Sequence, residues 1–169
     1  VFLNGLAPDG GLFVPKKIPL YTSQEFQELR NLSYNDLATK IIFKFCSDEF
    51  NEKEINNLVK SSYKNFRVKD VVALKKIGKV NLLELFHGPT LAFKDIAMQV
   101  IGNMYEKILK KNNLKINIVV ATSGDTGAAA INAINNRENI KIFVLHPENK
   151  ISEIQRKFMT TIDTENVFN

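Results

Sequence analysis

The sequence predicts an α/β fold: a small N-terminal helical domain over residues 1–78, followed by part of a parallel sheet covered by helices over residues 79–169. Three observations carry this. Residues 1–20 are rich in turn-forming Gly and Pro. Apolar residues then recur at helical spacing behind capping residues as far as Val59. From Val80 onward, short β-branched runs alternate with longer helical patterns, the order expected of a helix-covered parallel sheet.

Each element has a local reason. Asn4-Gly5, Pro8-Asp9-Gly10-Gly11, Pro15 and Pro19 make the first segment an irregular arm. Ser23 reads as an N-cap, with Phe26 and Leu29 as the buried stripe. Ser33 caps a second helix with Leu37, Ile41, Ile42 and Phe45 inward, and Ser47 or Asp48 begins a third carrying Ile55, Leu58 and Val59. Val80–Phe86 is an apolar run suited to a strand. Residues 94–112 read as a helix whose inner side is Ile96, Val100, Ile101, Met104, Tyr105 and Ile108. Ile116–Ala121 is a buried strand, Gly127–Asn135 an Ala-rich helix, Ile140–Leu145 a strand and Ile151–Thr161 a helix. Asn166–Asn169 opens another strand. Because position 1 is not Met and the last residues are strand-like, the 169 residues are expected to be a piece of a longer chain.

Composition narrows the function. The 23 Lys+Arg against 18 Asp+Glu give a net charge of +5. The basic runs Lys75-Lys76 and Lys107 to Lys115 lack interleaved aromatics, and there is no Trp, so a solvated basic face is favoured over a nucleic-acid surface. No stretch approaches the ~20 apolar residues of a membrane span. One cysteine, Cys46, suits a reducing, cytoplasmic setting and reads as a core thiol. Two His and one Cys without ligand spacing argue against a zinc site.

Two segments fall at strand ends, where ligands bind in such sheets. Ala121-Thr122-Ser123-Gly124-Asp125-Thr126-Gly127 follows a strand and opens a helix. Gly124 and Gly127 admit close backbone approach, and helix N-terminal N–H groups bind anions. A plain βα turn with an N-cap explains the same residues equally well, and Asp125 would repel an anion. Phe86-His87-Gly88-Pro89-Thr90-Leu91-Ala92-Phe93-Lys94-Asp95 places Lys94 at a helix start among apolar neighbours. Both features favour a neutral amine, as a Schiff-base lysine requires. A surface lysine is the alternative, and physical reasoning alone prefers it. His87 has the chemistry of a general acid/base or a phosphate donor and equally that of a strand-end cap, with the structural role slightly favoured, while His146 reads as structural at another strand end.

The Phe86–Asp95 motif closely resembles the pyridoxal-phosphate lysine motif of the threonine synthase family. Ala121 to Ala129 is similar to that family's second signature loop, and Gly5 to Pro15 to its N-terminal arm. Lys150-Ile151-Ser152 followed by Gln155 also matches. The resemblance implies fold type II, the three-layer architecture similar to the tryptophan synthase β subunit. It implies a carbon–oxygen lyase of threonine biosynthesis that converts O-phospho-L-homoserine and water to L-threonine and phosphate. Pyridoxal 5'-phosphate would be held by Lys94, with Asp125 facing its ring hydroxyl. Ser123, Gly124, Thr126 and Gly127 would bind the substrate carboxylate, and Thr90, Lys150, Ser152 and Gln155 would add substrate contacts. No metal, nucleic acid or membrane partner is expected, and the oligomeric state is left open. The family's cofactor-phosphate loop, of the Ser-Gly-Asn-x-Gly type, has no match in these 169 residues. The alternatives are another fold type II enzyme, such as a dehydratase or a cysteine-synthase-like enzyme, and a remnant that keeps the fold without the chemistry.

Overall fold

The structure is a computed structural model that describes residues 2–169. Its backbone forms two compact units, one running to Asn57 and the other covering Leu58–Asn169.

In the first unit the arm is a series of turns. Gly10, at φ +84°, donates its N–H to the Ala7 carbonyl, and Asp9 Oδ1 accepts from Gly11 N. Helix α1 is Ser23–Leu29, and its N-cap is Thr22, one residue earlier than the sequence suggested. The reason is a capping box: Thr22 Oγ1 accepts from Glu25 N (3.2 Å) while Thr22 N donates to Glu25 Oε2 (2.7 Å). Helix α2 is Tyr34–Cys46, capped by Ser33 as expected. The Lys44 amine lies over the Tyr21 ring and donates to Leu20 O and Glu25 Oε1, tying arm, α1 and α2 together. Helix α3, Glu52–Tyr63, begins after the Ser47 or Asp48 start expected of it. Asn51 and Glu54 cap it reciprocally, a pairing that neither Ser47 nor Asp48 can make at that spacing.

The expected inner stripes of α1 and α2 are corrected. Phe26, Ile41 and Phe45 are exposed. Leu37 and Ile42 are half-buried, and the one buried residue of α2 is polar: Thr39, whose Oγ1, like Asp36 Oδ1, accepts from Asn56 Nδ2. Ile55, Leu58 and Val59 of α3 are buried as expected. Cys46 is half-buried, and burial pushes its thiol up from the usual range, which disfavours the reactive thiolate.

The second unit opens with the last turns of α3. Ser62 Oγ donates to Leu58 O and Gln99 O, and Tyr63 Oη donates to Ile96 O. Next come β1 (Ala73–Ile77) and β2 (Val80–Glu84), an antiparallel pair with Ile77 opposite Val80. The two-residue loop is Gly78-Lys79, with Gly78 at φ +61°. This corrects the reading of Val80–Phe86 as a strand of the parallel sheet. Within the described residues its partner is its own hairpin neighbour, because a tight turn closes at far lower entropy than a distant pairing.

Helix α4 (Asp95–Asn112) precedes β3 (Ile116–Ala121), α5 (Asp125–Ile134), β4 (Ile140–Leu145), α6 (Glu153–Thr160) and β5 (Val167–Phe168). The three strands form a parallel sheet in the order β3-β4-β5. Ile140, Ile142 and Val144 are buried alternately along the central strand. Strand β3 alternates too, leaving Val119 67% exposed, so it is half-buried rather than fully buried. Helices α4 and α5 pack closely at Gly102, where an added Cβ would sit 2.7 Å from the Ala133 carbonyl oxygen. Beyond α5, Asn166 is a polar hub. Its Nδ2 donates to Ile134 O, Arg137 O and Ile140 O, and its Oδ1 accepts from Asn136 N and Thr164 Oγ1.

Asn166→Ala should therefore destabilise the chain by about 2–3 kcal/mol, because several part-buried carbonyls lose their donor. Urea unfolding would detect this as a lower midpoint with an unchanged slope.

Candidate functional site

The site lies in the second unit, where the segment after β2 and the turn after β3 each deliver a helix N-terminus. In the first segment the chain turns at Gly88-Pro89 and enters α4 at Lys94, whose backbone is already helical. Asp95, the first residue of α4, is fully buried. Its carboxylate accepts from Thr90 N at Oδ2 (2.8 Å) and from Thr90 Oγ1 at Oδ1 (2.7 Å). Burial pushes the Asp95 carboxyl above the usual range, and the bonds from Thr90 oppose that shift. Gly88 presses on the same group: a Cβ there would lie 2.4 Å from Asp95 Oδ2. Leu91 adopts φ +65°, an uncommon conformation for a residue with a side chain. Lys94 is partly exposed; its amine sits 4.3 Å from the centroid of the Phe93 ring and makes no ion pair among the described residues.

His87 is placed by a different contact. Its Nε2 is 2.9 Å from Glu84 Oε2, while Glu84 Oε1 pairs with Lys75 at 2.7 Å. The bond to Lys75, and then that to His87, hold the Glu84 carboxyl below the usual range. This ties the end of β2 to β1, in keeping with a structural His87. His146 Nδ1 is buried without a partner among the described residues, and nothing in the structure explains it.

The second segment is organised by Thr122, a residue absent from the predicted site. Its Oγ1 accepts from Gly124 N and Gly127 N, both at 3.1 Å, and so closes the turn into α5. The N–H groups of Asp125 and Thr126, in the first helical turn, have no protein acceptor among the described residues. That is the donor arrangement of an anion site. Gly124 sits at φ +148°, and a Cβ on it would lie 2.6 Å from the Gln155 side chain. A Cβ on Gly127 would lie 2.4 Å from Thr122 Cγ2.

Gln155 links two helix starts. Its backbone N–H donates to Ser152 Oγ (3.2 Å), its Oε1 accepts from Ser152 N (3.3 Å) to complete the capping box of α6, and its Nε2 donates to Asp125 Oδ1 (3.0 Å). Thr90, Leu91, Ala92, Asp125, Gln155 and Phe158 line one cleft of about 180 Å³. The fold thus brings Thr90, Asp125 and Gln155 together. Ser123 and Lys150 are exposed, Lys150 just ahead of α6, and neither they nor Lys94 belong to that cleft's wall. Sequence reasoning missed Asp95, Thr122 and the Gln155–Asp125 bond. For Thr122 the available signal is a hydroxyl two residues ahead of a glycine in a βα turn.

Comparison with known proteins follows the same segments. A family model described as "Threonine synthase N terminus" matches residues 1–63. A threonine synthase of Pseudomonas aeruginosa is 41% identical over 170 residues, covering 100% of this chain and 36% of that protein. Over its whole length the chain is similar to threonine synthases. The crystal structure of threonine synthase from yeast superposes with a TM-score of 0.91 at 39% identity, over 98% of this chain and 36% of that one. A pyridoxal-phosphate-bound threonine synthase from Brucella melitensis gives 0.88 at 41% identity, over 94% and 34%. The chain therefore spans about a third of the length of the threonine synthases it matches. The mixed α/β fold with a parallel sheet agrees with the fold type II reading. No helix among the described residues is long and apolar enough to cross a membrane.

Gly124→Ala should destabilise the chain by roughly 1–3 kcal/mol, because it combines an unfavourable φ with a clash against Gln155. Gln155→Ala should remove only the clash. The double variant, compared with each single one by thermal unfolding, should recover part but not all of the loss.

Proposed function

We propose that this chain supplies the catalytic lysine and the substrate-carboxylate loop of a threonine synthase, which converts O-phospho-L-homoserine and water to L-threonine and phosphate. The observation that carries this is the pairing of two helix entries in one unit: Lys94 at the start of α4, and free N–H groups at the start of α5. The family relationship supports the choice of substrate.

The residues present suit pyridoxal phosphate in part. A lysine amine without an ion pair suits an aldehyde, and the donors at α5 suit a carboxylate. The Ser-Gly-Asn-x-Gly type segment expected to hold the cofactor's phosphate does not occur in these 169 residues. Lys94 would hold the cofactor, and Asp125 would face its ring hydroxyl. When bound, pyridoxal phosphate supplies an electron sink for carbanion character on the substrate.

The chain's own groups then divide the work. The N–H groups of Asp125 and Thr126, with the Ser123 and Thr126 hydroxyls, would bind the substrate carboxylate and fix its orientation. The Gly124 and Gly127 backbones would allow the substrate to approach closely. Released by the substrate amine, Lys94 would take the proton from Cα and move protons at Cβ. The Cγ–O bond breaks as phosphate leaves, the proton lost from Cβ is made good at Cγ, water gives its hydroxyl to Cβ and its proton to the phosphate, and a proton returned to Cα completes the atom balance. Lys150 would provide positive charge to the leaving phosphate. Ser152 and Gln155, engaged in the capping box of α6, would contribute by holding Asp125.

In the full-length protein, Lys94→Ala should lower phosphate release from O-phospho-L-homoserine by roughly 10³-fold or more. Formation of 2-oxo acids from serine or threonine, with no phosphate release, would favour the dehydratase reading instead. The 169 residues alone should bind pyridoxal phosphate weakly and turn over little; an active isolated chain would overturn that part of the proposal.

A further inference from the structure

Resting on the reading of Lys94 as the cofactor lysine, we infer that Thr90 and Asp95 form a latch that positions Lys94, with Thr90 acting through Asp95 rather than by touching substrate.

The argument starts from an expense the fold does not need. Asp95 has no solvent exposure, and no ion pair reaches it among the described residues. A buried carboxylate is unfavourable unless donors surround it, and an apolar residue of similar size is usually cheaper. The two shortest bonds come from one residue, five positions back, through both its backbone N–H and its hydroxyl, and the Ala92 backbone N–H adds a weaker contribution. The Thr90 side chain is itself buried, so its hydroxyl is committed. The result is a ring of chain from Thr90 to Asp95, closed at two points, with Lys94 as its penultimate residue.

Three further features tighten the ring. Asp95 N donates to Ala92 O (3.0 Å), and Leu91 N donates to Gly88 O (3.2 Å). Gly88 leaves no room for a side chain against the carboxylate. Leu91 is held at positive φ, a conformation that persists only when its surroundings enforce it. On its other side, Lys94 O accepts from Met98 N (2.9 Å) and anchors the residue to α4. The Lys94 Cα is therefore fixed between a closed ring and a helix, and only its side chain is left to move. In metal sites, groups behind a ligating residue set its orientation, and their loss typically lowers affinity by about 10–100-fold; the Thr90–Asp95 pair stands in the same relation to Lys94.

The test uses the full-length protein with Thr90→Val, Thr90→Ser, Asp95→Asn and Lys94→Ala. Thr90→Val and Asp95→Asn should weaken pyridoxal phosphate binding about 10-fold or more, read from the visible absorbance of the lysine-bound cofactor. In the cofactor-free protein both should lose amide hydrogen-exchange protection over residues 88–96 while other segments keep theirs. Thr90→Ser, which retains the hydroxyl, should restore both properties. In turnover, kcat should fall with KM for O-phospho-L-homoserine little changed. A Thr90→Val protein that binds cofactor normally but shows a raised KM would make Thr90 a substrate contact and overturn the latch. So would Val and Ser variants that behave alike. Borohydride reduction separates the underlying reading: if cofactor is trapped on a peptide lacking Lys94, the lysine assignment fails whatever Thr90 does.

Discussion

A carboxylate without solvent shapes the entry to α4. Asp95 needs donors, and the chain supplies them by folding residues 88–94 back over it. Several features of the segment follow from that requirement. Position 88 must be glycine because the carboxylate fills the space of its side chain. Leu91, next to Thr90, takes a positive φ within this folded-back segment. Lys94 must begin the helix because the residue after it is pinned. Removing the carboxylate's donors would leave a buried charge with nothing to stabilise it, which is among the larger single penalties a fold can meet.

The turn into α5 follows a similar logic with different atoms. There a hydroxyl, Thr122 Oγ1, gathers two backbone N–H groups and leaves the two between them without an acceptor among the described residues. A cap that satisfied every donor would make a sounder helix end and a poorer anion site. The negative charge of Asp125, unwelcome beside an anion, is engaged by Gln155 from the start of α6. The segment leading into α4 and the starts of α5 and α6 thus contribute to one cleft through Thr90, Asp125 and Gln155.

Much of this was legible because it is local. The Ser33 cap, the glycines of the α5 turn, the boundaries of β4 and the lysine at the head of α4 all depend on residues a few positions apart. Other features were not legible, and each involves a distant partner. The buried Thr39 of α2 is held by Asn56, seventeen positions away, while Ile41 and Phe45 are exposed although their spacing suggested burial. Strand β1, with its mixed Ala-Leu-Lys-Lys-Ile sequence, is visible only through its pairing with β2. The bond between Gln155 and Asp125 joins residues thirty positions apart.

The sequence by itself determined most of the helices, the strands of the parallel sheet, the glycines of the turn into α5, and which family the chain resembles. Hydrophobic period, capping chemistry and motif order act over short distances and survive without a fold. Only the tertiary structure decided that Asp95 is buried and that Thr90 spends its hydroxyl on it. It also decided that β2 pairs with a hairpin neighbour and that one glutamine serves two helix starts. Burial and pairing are properties of surroundings, and a residue's surroundings exist only once distant segments have met.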